Sequence, residues 1–82
     1  MKVYLDDVGE RHLVGRADVP KDAGPLYELP LFGPKSIIIE SFTIGVVTHY
    51  PPGAANPVVE RAVLLAPGQY ADLLPGWQPL AS

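Results

Sequence analysis

The chain has 82 residues, no cysteine and a formal net charge of −3. Without cysteine it can form neither a disulfide nor a thiolate zinc site, and its six basic residues are spread singly along the sequence, which excludes a patch for nucleic acid. The opening residues MKVYLDDVGE lack the basic and apolar segments of a secretion signal, and no apolar run reaches the roughly 20 residues of a membrane helix. We therefore expect one small soluble domain in the cytoplasm or within a virion or other large assembly, with no cofactor, nucleic acid or membrane as a ligand.

The N-terminal residues predict a β-hairpin. KVYL (2–5) is a short apolar run, and RHLVGRADV (11–19) alternates apolar or small residues with polar ones. Between them, DDVGE (6–10) has the composition of a turn, because aspartate side chains hydrogen-bond turn backbone and Gly9 can adopt positive φ. Two strands joined by such a turn pair with each other.

The next strand is predicted at LYELPLF (26–32), after a loop at PKDAGP (20–25). Pro30 cannot donate a hydrogen bond to a neighbouring strand, so this strand belongs at a sheet edge or at a bulge. A turn is predicted at GPKS (33–36).

The stretch SIIIESFTIGVVTHY (36–50) is the most β-prone part of the chain. Ile37 and Ile39 share one face, whereas alternate residues from Phe42 onward place their apolar side chains on the other. A regular strand has a side-chain period of two and cannot switch faces. Fifteen extended residues would also span about 50 Å, whereas a compact domain of this size has a radius of gyration near 12 Å. We expect a bulge at Glu40–Ser41, or two strands that meet at a barrel corner.

The remaining residues predict a loop at 51–57, a strand at 58–66 and a single helical turn at 70–74 that later prolines prevent from growing. The expected fold class is all-β: a small antiparallel sandwich or barrel of five to six short strands. Residues 1–82 would form a single domain, with strands in 1–66. A Pro-rich, mostly irregular C-terminal tail (67–82) would pack on the core or on a partner.

Charge is distributed unevenly along the chain. Of fifteen charged residues, twelve lie in 1–40, and none lies between Ser41 and Val59. An uncharged β-rich segment tends to aggregate unless it is covered, and a domain of this size has little interior in which to bury it. We therefore expect part of the second half to contact another protein. The predicted interface residues are Phe42, Val47, Tyr50, Pro52, Val58, Leu74 and Trp77; Trp77 could instead close the open end of the sheet.

No catalytic or metal-binding site is predicted. His12 lies among charged neighbours on a polar strand face, and His49 precedes a rigid loop to which it can hydrogen-bond. The acids of DDVGE lack the further oxygen ligands of a calcium loop, and no nucleophile, phosphate-loop or dinucleotide motif occurs.

The leading hypothesis is a non-enzymatic structural or interaction subunit that associates with itself or with a larger partner through its uncharged second half. Capsid, tail and other repetitive assemblies contain many inert subunits of this size, which is an analogy. The alternative is a monomeric binding or regulatory domain that grips a peptide or small ligand in a groove of Tyr27, Tyr50 and Trp77. A third hypothesis is an enzyme that uses His12 or His49.

Overall fold

The computed structural model describes residues 1–32 and 37–81, so the turn predicted at 33–36 lies outside the described residues. Within these ranges the chain is all-β, as predicted, and a single 3₁₀ turn at Ala71–Leu73 confirms the helical turn expected there. The strands are β1 (Lys2–Asp7), β2 (Glu10–Arg16), β3 (Leu26–Phe32), β4 (Ile37–His49), β5 (Val58–Leu65) and β6 (Gln78–Pro79).

The six strands form one mixed sheet in the order β3-β4-β5-β1-β2-β6, and the sheet does not close. β1 and β5 are parallel, with Lys2 opposite Ala62, and every other pair is antiparallel. The predicted antiparallel sandwich or barrel is therefore wrong. Loop and tail residues, in place of a second layer of strands, cover one face of the sheet.

The N-terminal hairpin is confirmed. β1 pairs with β2 from Lys2↔Arg16 to Asp7↔Glu10, with a register shift between Val3 and Tyr4. At its tip Val8 and Gly9 have φ of 47° and 81°. Positive φ at both central residues is typical of the two-residue turn that suits the twist of a hairpin. For the β-branched Val8, which is 97% exposed, this conformation is strained.

β4 is one unbroken strand of 13 residues. Its register with β3 is constant from Leu26↔Thr43 to Phe32↔Ile37, and its register with β5 is constant from Thr43↔Leu64 to His49↔Val58. The predicted bulge at Glu40–Ser41 is therefore wrong. The prediction assumed a compact domain, but the molecule measures 55 × 29 × 24 Å and accommodates a long continuous strand.

The main core lies on one face of the sheet, where loop residues 17–19 and tail residues near 74 cover it. Side chains at alternate positions of a strand point to opposite faces, and paired residues share a face. A smaller cluster of Tyr4, Val47 and Ala62 lies on the opposite face, with Leu64 against it. The residues of the main core are Val3, Ala17, Val19, Phe42, Ile44, Val63, Leu65 and Leu74.

The C-terminal segment is more ordered than the predicted irregular tail. β6 pairs with β2 through Gly15↔Pro79, and the amide of Leu80 donates to the carbonyl of Val14 at 2.9 Å. A methyl group at Gly15 would lie 2.5 Å from the Trp77 ring, so the absence of a side chain lets the indole rest on β2. Trp77 is partly buried against the main core.

Candidate interaction surfaces

The β3–β4 hairpin extends beyond the rest of the sheet. Pairing of β4 with β5 begins at Thr43, so residues 37–42 have β3 on one side and no strand on the other. We call residues 26–32 and 37–42 the arm. Its base is anchored by Phe42, which is fully buried, and by Tyr27 and Leu29, which pack against the main core.

Both faces of the arm are apolar near its outer end. Ile38 lies opposite Leu31 on the face that continues the main core, and Ile37 and Ile39 lie on the other face. The three isoleucines are 65%, 56% and 55% exposed in chain order. A run of apolar residues on both faces is typical of a strand that is buried on both sides, yet here it meets solvent.

The two long edges of the arm differ. On β3, Pro30 has no N–H to offer a further strand, which is a common protection of sheet edges. On β4, the edge of residues 37–42 that faces away from β3 carries no proline and no lysine. Near its base, the Gln69 side-chain amide donates to the carbonyl of Ser41 at 2.8 Å. The β4 edge of the arm is therefore the open one.

The predicted interface residues did not include the three isoleucines, although the sequence contains a pattern that indicates their exposure. Three successive apolar residues cannot all point to one face, so at least one must lie away from the main core. The prediction instead assigned Ile37 and Ile39 to a switching core face.

A second exposed apolar area lies at the other end of β4. Val46 and Val59 are exposed on the face of the main core, and Val58 and Tyr50 are exposed near the loop that joins β4 to β5. Of the predicted interface residues, Tyr50, Pro52 and Val58 are at the surface. Trp77 is half-buried.

The other three predicted interface residues lie in the interior. Phe42 and Leu74 belong to the main core, and Val47 belongs to the smaller cluster on the opposite face. Their side chains are covered by the chain itself and cannot offer a surface to a partner. Val47, which was expected at the surface after the core was filled, is buried because the smaller cluster covers it on the opposite face of the sheet.

A polar network lies beside the smaller cluster. The Nε2 atom of His49 is 3.1 Å from Glu60 Oε2 and 3.3 Å from the Tyr4 hydroxyl, and Lys2 Nζ is 3.2 Å from the same Glu60 oxygen. Because a carboxylate can only accept, His49 donates from Nε2 to Glu60. The predicted hydrogen bond of His49 to the following loop is replaced by this one.

The charge of Glu60 is stabilised by its neighbours. The hydrogen bond from Lys2 is the main cause that lowers the pKa of Glu60 below its ordinary value; partial burial acts in the opposite direction, and the contact with His49 lowers it further. Glu60 is therefore ionised and satisfied at neutral pH.

Two surface cavities lie on either side of this network. One, of about 670 Å³, is lined by β4 residues 46–49 together with Tyr4 and residues of the N-terminal hairpin such as Arg11. The other, of about 410 Å³, is lined by Met1, Lys2, Arg16, Lys21, Glu60 and Arg61. Four of the six basic side chains, which the sequence shows as isolated, thus meet at one cavity.

His12 does not join either cavity; it is exposed and lies 3.5 Å from Glu10. In the described ranges, no group of three or more potential metal ligands comes together, and no helix there is long and apolar enough to cross a membrane. No protein-family model, curated protein or solved structure matches this chain.

Proposed function

We propose that this protein is a non-enzymatic structural or interaction subunit that associates with copies of itself through the arm, as the subunits of repetitive assemblies do. The observation that carries this proposal is the arm: a two-stranded hairpin, apolar on both faces, with one open edge. An isolated hairpin is at best marginally stable in water, so its outer end gains from being covered.

A second copy of the chain fits the open edge. If two β4 edges pair antiparallel about a twofold axis at Ile39, Ile38 of one copy lies opposite Glu40 of the other. Residue 37 then lies opposite Ser41, and its amide would replace the Gln69 side chain at the Ser41 carbonyl. This register brings isoleucines together and keeps the two Glu40 carboxylates apart, which avoids the repulsion of like charges placed directly opposite each other. Twofold symmetry is the commonest arrangement of homo-oligomers.

The exposed area at the other end of β4 offers a separate contact for a further copy or for a larger partner. It retains the predicted residues Tyr50, Pro52 and Val58, to which the structure adds Val46 and Val59. Two contact areas at opposite ends of one strand would allow a subunit to link more than one neighbour, as an extended assembly requires.

The test is the mass of the particle in solution, measured by light scattering at micromolar concentration. Wild-type protein is expected to exceed 8.8 kDa, and the Ile39→Lys variant is expected to be monomeric, since a lysine on an edge strand opposes pairing. Val8→Lys is the matched control, because it adds the same charge at an exposed valine of the N-terminal hairpin, outside both contact areas.

Circular dichroism of both variants checks that the sheet is intact. A wild-type protein that stays monomeric over the whole concentration range would contradict the proposal. Loss of association in Val59→Lys but not in Ile39→Lys would move the contact to the other end of β4.

Two observations favour this function over the alternatives. The aromatic groove requires Tyr27, Tyr50 and Trp77 to converge, but Tyr50 lies roughly 25 Å along the chain direction of β4 from the residue that pairs with Tyr27.

The enzyme hypothesis requires a histidine that is free to act on a substrate. His49 is held by Glu60 and Tyr4, and His12 lies in open solvent. Replacing both histidines is expected to leave association unchanged, which light scattering of the double variant checks.

A further inference from the structure

The cavity of about 410 Å³ gathers an unusual concentration of positive charge. The chain as a whole carries −3, yet four basic side chains line this cavity. Glu60 is the only acidic side chain among its described lining residues, so the side chains of the lining have an excess of three positive charges. It forms where β1 begins beside β5. Lys2 and Arg16 face each other across β1 and β2, and the loop after β2 brings Lys21 to the same place.

The four basic side chains differ in the ion pairs and hydrogen bonds that they form. Lys2 pairs with Glu60. Arg61 donates from its two terminal nitrogens to the backbone carbonyls of Lys21 and Ala23, which fixes the guanidinium and the loop against each other. Arg16 and Lys21 are exposed, and neither forms an ion pair within residues 1–32 and 37–81.

We propose that this cavity binds a small multivalent oxyanion of the phosphate class, such as pyrophosphate or a phosphate monoester. The unpaired Arg16 and Lys21 would contact the anion, and Lys2 and Arg61 would contribute charge from fixed positions.

Size and charge both fit such a ligand. The cavity, of about 410 Å³, has room for a small phosphate compound. An arginine presents a planar fork of donors that matches two phosphate oxygens, and charge-assisted hydrogen bonds are the strong ones. A single carboxylate would neutralise only one of the three excess charges. Without an anion, the four cations repel one another across the cavity.

This site is separate from the arm and independent of self-association. None of its lining residues belongs to the arm, and β4 contributes none of them. The protein could therefore bind the anion as a monomer, and the Ile39→Lys variant is a suitable background for measuring it.

The experiment titrates inorganic pyrophosphate into the Ile39→Lys protein at constant ionic strength, with sodium chloride as the reference salt. Amide chemical shifts report the position of binding, and thermal unfolding reports its strength, because a ligand that binds only the folded state raises the midpoint. We expect shifts concentrated at residues 2, 16, 21 and 61, and a midpoint that rises with pyrophosphate and not with chloride.

Arg16→Gln and Lys21→Gln are each expected to weaken binding about tenfold, the loss of one hydrogen bond to a charged group. Both side chains are exposed, so these variants are expected to fold. Arg11→Gln, which removes the same charge outside the cavity, is the matched control and is expected to bind normally.

Three results would overturn the assignment. The first is a midpoint that responds equally to pyrophosphate and chloride. The second is an equal loss of affinity in Arg11→Gln, which would mean attraction to overall charge. The third is a salt-sensitive dimer formed through the cavity in place of pyrophosphate binding, which would identify an acidic surface of a second copy as the ligand. In that case the proposed self-association would survive and the anion site would not.

Discussion

Residues 37–42 and 43–49 of β4 form one continuous strand, but their surroundings differ. The second half has β5 beside it and contributes Ile44 and Val47 to clusters on both faces of the sheet. The first half has only β3 beside it, and its isoleucines are exposed on both faces. Each half therefore has one neighbouring strand. Similar residues are buried in one half and exposed in the other because β5 leads into the covered centre of the sheet, whereas β3 is its last strand.

The largest expected effect is at the boundary between the two halves. Phe42→Ala removes a fully buried ring from the main core and is expected to lower the free energy of unfolding by about 3 to 5 kcal/mol. Ile38→Ala, on the same face of the arm, is expected to change it by no more than about 0.5 kcal/mol in the monomer. Urea unfolding at concentrations where the chain is monomeric measures both. Similar losses in the two variants would mean that the arm is as well packed as the core.

A substitution at Gly45 tests how tightly the second half of β4, residues 43–49, is packed. A methyl group there would lie 2.5 Å from Cδ1 of Leu64, so Gly45→Ala is expected to cost about 1 to 3 kcal/mol of stability through overpacking. Ser41→Ala, on the same face but within the arm, is the control and is expected to be nearly neutral. Unfolding in urea distinguishes them, and a neutral Gly45→Ala would show that Leu64 can move aside freely.

Substitutions at Gln69 test how much the contact at the β4 edge, where the two halves of the strand meet, contributes to stability. Its amide donates to the Ser41 carbonyl, and its oxygen accepts from the amide of Ala66 at 2.9 Å. Gln69→Ala is expected to lower stability by about 1 kcal/mol through the loss of these bonds. Gln69→Glu keeps the acceptor, removes the donor and places a second acid near Glu40, so it isolates the contact with β4. If neither variant shifts the urea midpoint, the β4 edge at Ser41 needs no partner.

The smallest expected effect is the pH dependence of stability that Glu60 causes beside residues 43–49 of β4. Because the pKa of Glu60 is lowered in the folded protein, its contribution to stability is fully present above the ordinary glutamate pKa and is lost as pH falls through the lowered value. Wild type is expected to be more stable than Glu60→Gln at about pH 7, and the difference is expected to shrink toward about pH 3. Urea midpoints of the two proteins measure it, and a pH-independent difference would contradict the role of Lys2 and His49.

Local features of this fold could be predicted from the sequence, whereas its long-range pairing could not. The N-terminal hairpin, the edge position of Pro30 and the helical turn near residue 72 follow from turn chemistry and from the restrictions of proline, which act over a few residues. The parallel pairing of β1 with β5 joins residues 60 positions apart, and no local signal specifies it.

The errors at the candidate surfaces have the same origin. Whether Val47 is buried and Ile39 exposed depends on which strands lie beside them, and both residues look equally apolar in the sequence. The basic cavity was missed because Lys2, Arg16, Lys21 and Arg61 come from four separate segments that only the completed sheet brings together.

The pairing of the first strand with the fifth also affects the order of events during synthesis. β1 is made before β5, and some fifty residues separate it from its parallel neighbour at Val58–Leu65. Until β5 is made, the N-terminal hairpin has no sheet to join and is subject to the marginal stability of any lone hairpin. The sheet therefore stays incomplete while those residues are made, and a chaperone or a neighbouring nascent copy has that interval in which to engage the chain.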